Sequence, residues 1–123
     1  MDKYILISDL DDTIIGDEEA LIRFAEFYES SKSWLKIVYA SGRLFDSIVR
    51  QVGTTPLPEP DAIIGGVGSE IRNFPDGSPM QDWWERIAEH WDAEKVRKIL
   101  DEEEHLRPQP EEVQTDYKVS YYF

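Results

Sequence analysis

Apolar residues come in short blocks along this chain, and their spacing changes from block to block. Tyr4-Ile5-Leu6-Ile7 is a continuous run, so residues 3–8 read as a buried strand. Residues 13–17 contain Gly16 and read as a turn. Asp17 then stands as a helix cap, with Glu18 and Glu19 in the favourable first turn and the helix running to Glu29. Leu21, Ile22, Phe24, Ala25 and Tyr28 recur at helical spacing, and residues 30–33 end it. Residues 35–40, Leu-Lys-Ile-Val-Tyr-Ala, form a second strand of the parallel, buried kind. A helix over 44–52, a Pro-rich loop over 54–60 and a third strand over 61–65 follow. Residues 67–74 read as extended, up to the turn signal Pro75-Asp76-Gly77.

The remainder reads mostly as helix. Asp82 with Glu85 three residues later resembles a capping box, and Trp84, Ile87, Ala88 and Trp91 share one helical face. Asp92 can start another helix with Val96, Ile99 and Leu100 on one side. The acidic residues 101–104 read as a solvated helix end, residues 106–110 as a linker, and residues 117–123 as a strand with no partner in view. Strands alternating with helices predict an α/β fold with a parallel sheet.

Composition narrows the chemistry. The chain has 123 residues, enough for one ordinary domain, and 41% of them are apolar. Its 26 acids against 13 bases leave a formal charge of −13, which disfavours nucleic acid and anionic membranes as partners. There is no cysteine, which fits a reducing, cytoplasmic setting. The opening residues lack a signal-peptide pattern, and no apolar run reaches membrane-spanning length.

The chemical interest lies at the predicted strand ends. Asp9 and Asp11 follow the first strand two residues apart and are expected on the same side. Two carboxylates roughly 5 Å apart repel by about 3 kcal/mol at an effective dielectric of about 20. A fold keeps such a pair when a cation sits between them, or when one stays protonated to move protons. Ser41-Gly42-Arg43 follows the second strand at the start of a helix, where a hydroxyl, a close-approach glycine and the helix dipole make an anion cradle. A cation beside an anion cradle describes phosphoryl transfer, with an aspartate as a candidate nucleophile.

Plainer roles compete at each position. Asp9 and Asp11 could line a solvated turn, Asp12 reads as a loop residue, Ser41 could be an ordinary cap, and Arg43 could pair with a surface acid. Gly65-Gly66-Val67-Gly68 is not a dinucleotide fingerprint, because Ile71 stands where the last glycine belongs. His90 and His105 lack partners at metal-ligand spacing. Trp84 and Trp91 read as packing residues, and Trp83, off their face, as a weak sugar-stacking candidate.

Asp9-Leu10-Asp11-Asp12-Thr13 after an apolar strand resembles the first motif of the haloacid dehalogenase-like phosphatases, and Val38-Tyr39-Ala40-Ser41-Gly42-Arg43 resembles their second. Val67-Gly68-Ser69-Glu70-Ile71, Glu89-His90-Trp91, and the segments 106–109 and 118–121 are similar to the sucrose-phosphate phosphatase branch. The resemblance implies a Rossmann-like core over residues 1–112 with the start of a cap domain over 113–123. It implies Mg²⁺-dependent hydrolysis of a sugar phosphate, foremost sucrose 6-phosphate, with mannosyl-phosphoglycerate as a related choice. Asp9 then corresponds to the nucleophile and Asp11 to the acid/base, with Mg²⁺ on the Asp9 carboxylate and the Asp11 backbone carbonyl. Ser41 corresponds to the hydroxyl that binds the phosphoryl group, with Gly42, Arg43, Gly68 and Ser69 near the substrate. Thr13 is expected to order the loop.

The family also carries a lysine and a further acidic motif beyond the cap. Lys95, Lys98 and Lys118 stand in other contexts, and no later Asp-Asp pair follows a strand. The chain is therefore expected to be the N-terminal part of such an enzyme, weak or inactive alone. The competing expectation is a non-catalytic fragment or subunit that binds a partner, or itself, through Tyr117 to Phe123.

Overall fold

The structure, a computed structural model, describes residues 2–123. The backbone forms two compact units, one ending at Met80 and the other spanning Gln81–Phe123. This division falls ahead of the core-to-cap boundary expected between 112 and 113.

The first unit is a four-stranded sheet, in the order β1 (Tyr4–Ser8), β2 (Leu35–Ala40), β3 (Ala62–Gly65) and β4 (Glu70–Asn73). The first three strands are parallel, and β4 returns antiparallel to β3. Two helices, α1 (Glu18–Ser31) and α2 (Phe45–Thr54), make the connections. In β2 the odd positions Leu35, Ile37 and Tyr39 are buried, with Ile37 and Tyr39 fully so. They join Leu10, Leu21, Tyr28, Ile48, Leu57 and Ile63 in one apolar core. The Tyr39 hydroxyl donates to the Pro58 carbonyl at 2.7 Å, so this buried polar group is satisfied. Burial pushes its phenol well above the ordinary tyrosine range.

Several expectations change. β1 is an edge strand of the described sheet rather than a buried one, with Ile5 and Ile7 67% and 60% exposed. α2 starts at Phe45 with Leu44 as its cap residue, and Leu44 supplies no capping side chain. The stretch 67–74 is extended only over β4, because Gly66, Val67 and Gly68 all have positive φ, which no strand permits. These three residues form a short 3₁₀ turn instead.

In the second unit, α3 (Gln81–Ala88) precedes α4 (Ala93–Leu100). α3 begins one residue before Asp82, which therefore lies inside the first turn and is not the cap. Trp91 falls outside α3, and its indole N–H donates to the Asp116 carbonyl at 2.6 Å. Trp84 meets Tyr117 edge to face, with ring centroids 4.9 Å apart. Asp92 caps α4 by accepting from the Lys95 N–H at 3.0 Å. Ile99 is exposed, whereas Val96 and Leu100, four residues apart, are half-buried.

The expected linker contains β5 (Arg107–Pro108), which pairs antiparallel with β6 (Tyr121–Tyr122). The final segment is thus a two-residue strand with an in-chain partner, not a seven-residue strand awaiting one. Gln114 fastens this hairpin: its side-chain N–H groups donate to the Gln109 and Ser120 carbonyls, and its carbonyl accepts from the Ser120 N–H. No helix among the described residues is long and apolar enough to cross a membrane.

Candidate active site

Parallel pairing of β1 with β2 sets Ser8 opposite Tyr39, so the two chains leave the sheet side by side. β1 stops at Ser8, and the backbone then turns about the Leu10 carbonyl, which accepts from the N–H groups of Thr13, Ile14 and Ile15. Leu10 is fully buried, while Asp9 and Asp11 on either side of it are exposed. Core packing of one leucine therefore presents both acids outward.

The Asp9 carboxylate is held at both oxygens. Oδ1 accepts from the Leu10 N–H at 2.8 Å, and the Thr13 hydroxyl lies 3.4 Å from Oδ2. The Asp11 carboxylate takes a two-pronged contact from Arg43, with Nε–Oδ2 and Nη2–Oδ1 both at 2.8 Å. That bidentate hydrogen bond, opposed by partial burial and aided by the cationic charge, holds the Asp11 carboxyl below the ordinary carboxylate range. Gln51, eight residues on along α2, accepts from Arg43 Nη1 at 3.2 Å. The arginine thus spans from α2 to the loop after β1.

Ser41 is buried, 8% exposed, and its Oγ accepts from the Arg43 N–H at 3.1 Å. Its backbone N–H donates to the Ile64 carbonyl at 2.9 Å, which continues the β2–β3 ladder. Gly42 between them is exposed, and a Cβ added there meets nothing within 4 Å. The 3₁₀ turn after β3 closes the site. Gly66 N–H donates to the Arg43 carbonyl at 2.8 Å and Val67 N–H to the Ser41 carbonyl at 3.3 Å. Ser69 N–H then bonds back to Gly66 at 3.1 Å. Ends of three strands are stitched together: Arg43 reaches Asp11, and the turn carrying Gly68 and Ser69 is tied to the Ser41–Arg43 loop.

The sequence pointed to the residues at these strand ends but not to their supports. Gln51 lies on α2, eight residues beyond Arg43, which precedes the helix, so no local periodicity pairs the two. Glu70 was missed as well. Its Oε1 accepts from the Phe45 N–H at 2.7 Å, capping α2 from a neighbouring strand. The clue was Leu44, a residue unable to cap.

For a cation, the exposed Asp9 carboxylate offers hard oxygen donors, whereas both carboxylate oxygens of Asp11 are taken by Arg43. Hard oxygen donors of this kind, few in number and open to water, suit Mg²⁺, which keeps several of its waters. No cluster of three or more His, Cys, Asp or Glu residues able to hold a metal is found among the described residues.

The chain is similar to known proteins over nearly all its length. It is 30% identical over 120 residues to a mannosylfructose-phosphate phosphatase of Agrobacterium fabrum, covering 96% of this chain and 48% of that protein. It is 31% identical over 127 residues to a probable sucrose-phosphatase 3a of Arabidopsis thaliana, covering 98% of this chain and 30% of that one. The crystal structure of the sucrose-phosphatase of Synechocystis sp. PCC6803 in complex with sucrose and phosphate superposes with a TM-score of 0.90 at 36% identity. That match covers 98% of this chain and 49% of the other. A haloacid dehalogenase-like hydrolase protein of Bacillus subtilis matches with a TM-score of 0.63 at 29% identity, over 99% of this chain and 50% of that one. The chain spans half or less of the length of these relatives. The family model for sucrose-6F-phosphate phosphohydrolase matches residues 2–123, and the chain belongs to that family.

Proposed function

We propose that this chain carries the phosphoryl-transfer half of a Mg²⁺-dependent sugar-phosphate phosphatase that works through a phosphorylated Asp9. The observation that supports this most directly is the junction of strand ends, where the Asp11–Arg43 contact draws the paired acids to the Ser41-Gly42 loop. Asp9 attacks phosphorus through a carboxylate oxygen, and the ester P–O bond breaks. A proton from Asp11 goes to the departing sugar oxygen. Water then attacks the phosphorus of the aspartyl phosphate, Asp11 takes its proton, and the P–O bond to Asp9 breaks to release phosphate. The Asp9 carboxylate and the Asp11 carbonyl would hold Mg²⁺, which would supply charge neutralisation for the phosphoryl oxygens. Ser41 and the Gly42 backbone orient that group.

Arg43 has a role beyond the substrate contact first expected. Paired with Asp11, it keeps that carboxylate ionised, which suits the second step. The first step needs Asp11 protonated, so the fork must loosen as the ester enters. Family membership and the relatives' names favour a disaccharide phosphate, with sucrose 6-phosphate as the leading candidate and mannosylfructose phosphate as the second.

Beryllofluoride tests the nucleophile without requiring turnover. With Mg²⁺, ¹⁹F NMR is expected to show a bound adduct in the wild-type chain and none in Asp9→Asn. An adduct that survives Asp9→Asn, or that forms equally without Mg²⁺, overturns the proposal.

A further inference from the structure

α2 begins without a capping side chain of its own, yet its first helical N–H is not left to water. Glu70, at the start of β4, is 9% exposed. One oxygen accepts from the Phe45 N–H at 2.7 Å, and the other takes Arg72 Nε at 3.2 Å. The contact joins residues 25 positions apart in the chain. A buried carboxylate without partners is strongly disfavoured, so Glu70 has a fixed place only while Phe45 and Arg72 stay where they are. The converse holds for the helix start, whose N–H groups need an acceptor.

Gly65 marks how close this packing is. A Cβ on that residue would lie 3.0 Å from Glu70 Oε1, 3.1 Å from the Arg43 carbonyl oxygen and 3.2 Å from the Phe45 nitrogen. The end of β3, the Glu70 carboxylate and the residues leading into α2 therefore meet with no room for a methyl group. Those residues directly follow Ser41 and Gly42. The same carboxylate occupies the Phe45 amide, so that N–H is not open to an incoming anion.

We propose that Glu70 is the positioning residue of the Ser41–Arg43 loop: capping α2 from outside the helix, it sets where that loop meets a phosphoryl group. This rests on the reading of the loop as a phosphoryl cradle. Glu70 itself touches no substrate.

The test uses the full 123-residue chain as wild type, Glu70→Ala, Glu70→Gln and Gly65→Ala. Amide hydrogen exchange is read at Phe45, the Arg43 Nε–H is followed by NMR, and inorganic phosphate with Mg²⁺ is titrated while watching Gly42. In Glu70→Ala, exchange at Phe45 and at Arg43 Nε–H should rise by about tenfold or more, the scale of a lost hydrogen bond to a charged group. The Leu10 amide and the β2 amides should stay as in wild type. Phosphate affinity at Gly42 should fall, and Glu70→Gln, which keeps an acceptor, should recover most of it. Gly65→Ala should displace the Phe45 and Arg43 signals with Glu70 intact, which covers the case that Glu70→Ala does not fold.

Unchanged Phe45 and Arg43 signals in both Glu70→Ala and Gly65→Ala overturn the proposal. So does a loss of protection spread evenly through β2, the mark of a merely structural group. Failure of the hydrolase reading is separate: wild type then shows no phosphate response at Gly42, while the loop still loosens on Glu70→Ala.

Discussion

Single side chains decide what this site can do. Asp11 is the clearest case, because its charge state is set by one neighbour. The Arg43 fork stabilises the ionised carboxylate, so the folded-state pKa lies below the unfolded one. The stabilisation this pair adds is present above the ordinary carboxylate pKa and disappears as pH falls through the lowered value. It is small, since the Arg43 and Asp11 side chains are 38% and 46% exposed and solvent screens them. Replacing Arg43 by Gln should move the Asp11 titration up toward the ordinary range. Carboxyl ¹³C NMR of wild type and variant checks this, and an unmoved midpoint refutes it. The sequence made both residues visible and offered Arg43 either a substrate or a surface acid. It could not select Asp11, because the choice depends on how the Leu10 turn presents that carboxylate in space.

Elements were legible where pattern and burial coincide. Residues 35–40 form β2 with the predicted bounds, because a central strand buries alternate positions and its sequence is apolar nearly throughout. Asp17 caps α1 as its position before Glu18 and Glu19 implied, accepting from the Ala20 N–H at 2.9 Å. Replacing Asp17 by Ala should cost about 1 kcal/mol. Chemical denaturation should show a lower midpoint with an unchanged m-value; no loss of stability would contradict the cap's role. Legibility failed where tertiary pairing overrides local preference. Val67 is β-branched and reads as strand, yet it holds φ at 58°, because its N–H and that of Gly66 are drawn to the Ser41 and Arg43 carbonyls. The proline-flanked piece around Arg107 reads as linker, yet it is the partner of Tyr121 and Tyr122. Neither pairing leaves a trace in nearby residues.

At the scale of the molecule, the α/β class and the parallel order of the first three strands follow from alternation of helix and strand. In this chain, which spans half or less of its relatives' length, β1 lies at the sheet edge with Ile5 and Ile7 exposed, although its apolar run is that of a central strand. Charge balance was readable at once, but where the cations are committed was not. Arg43 is occupied by Asp11, Arg72 contacts Glu70 and Lys36 contacts Asp61. The Arg43–Asp11 pairing therefore has a kinetic side. Any anionic ligand would approach a polyanion whose guanidinium at the strand ends is already paired, so long-range forces slow the encounter instead of guiding it. At fixed Mg²⁺, stopped-flow association of an anionic ligand should speed up as ionic strength rises, the reverse of the steering seen with basic clefts.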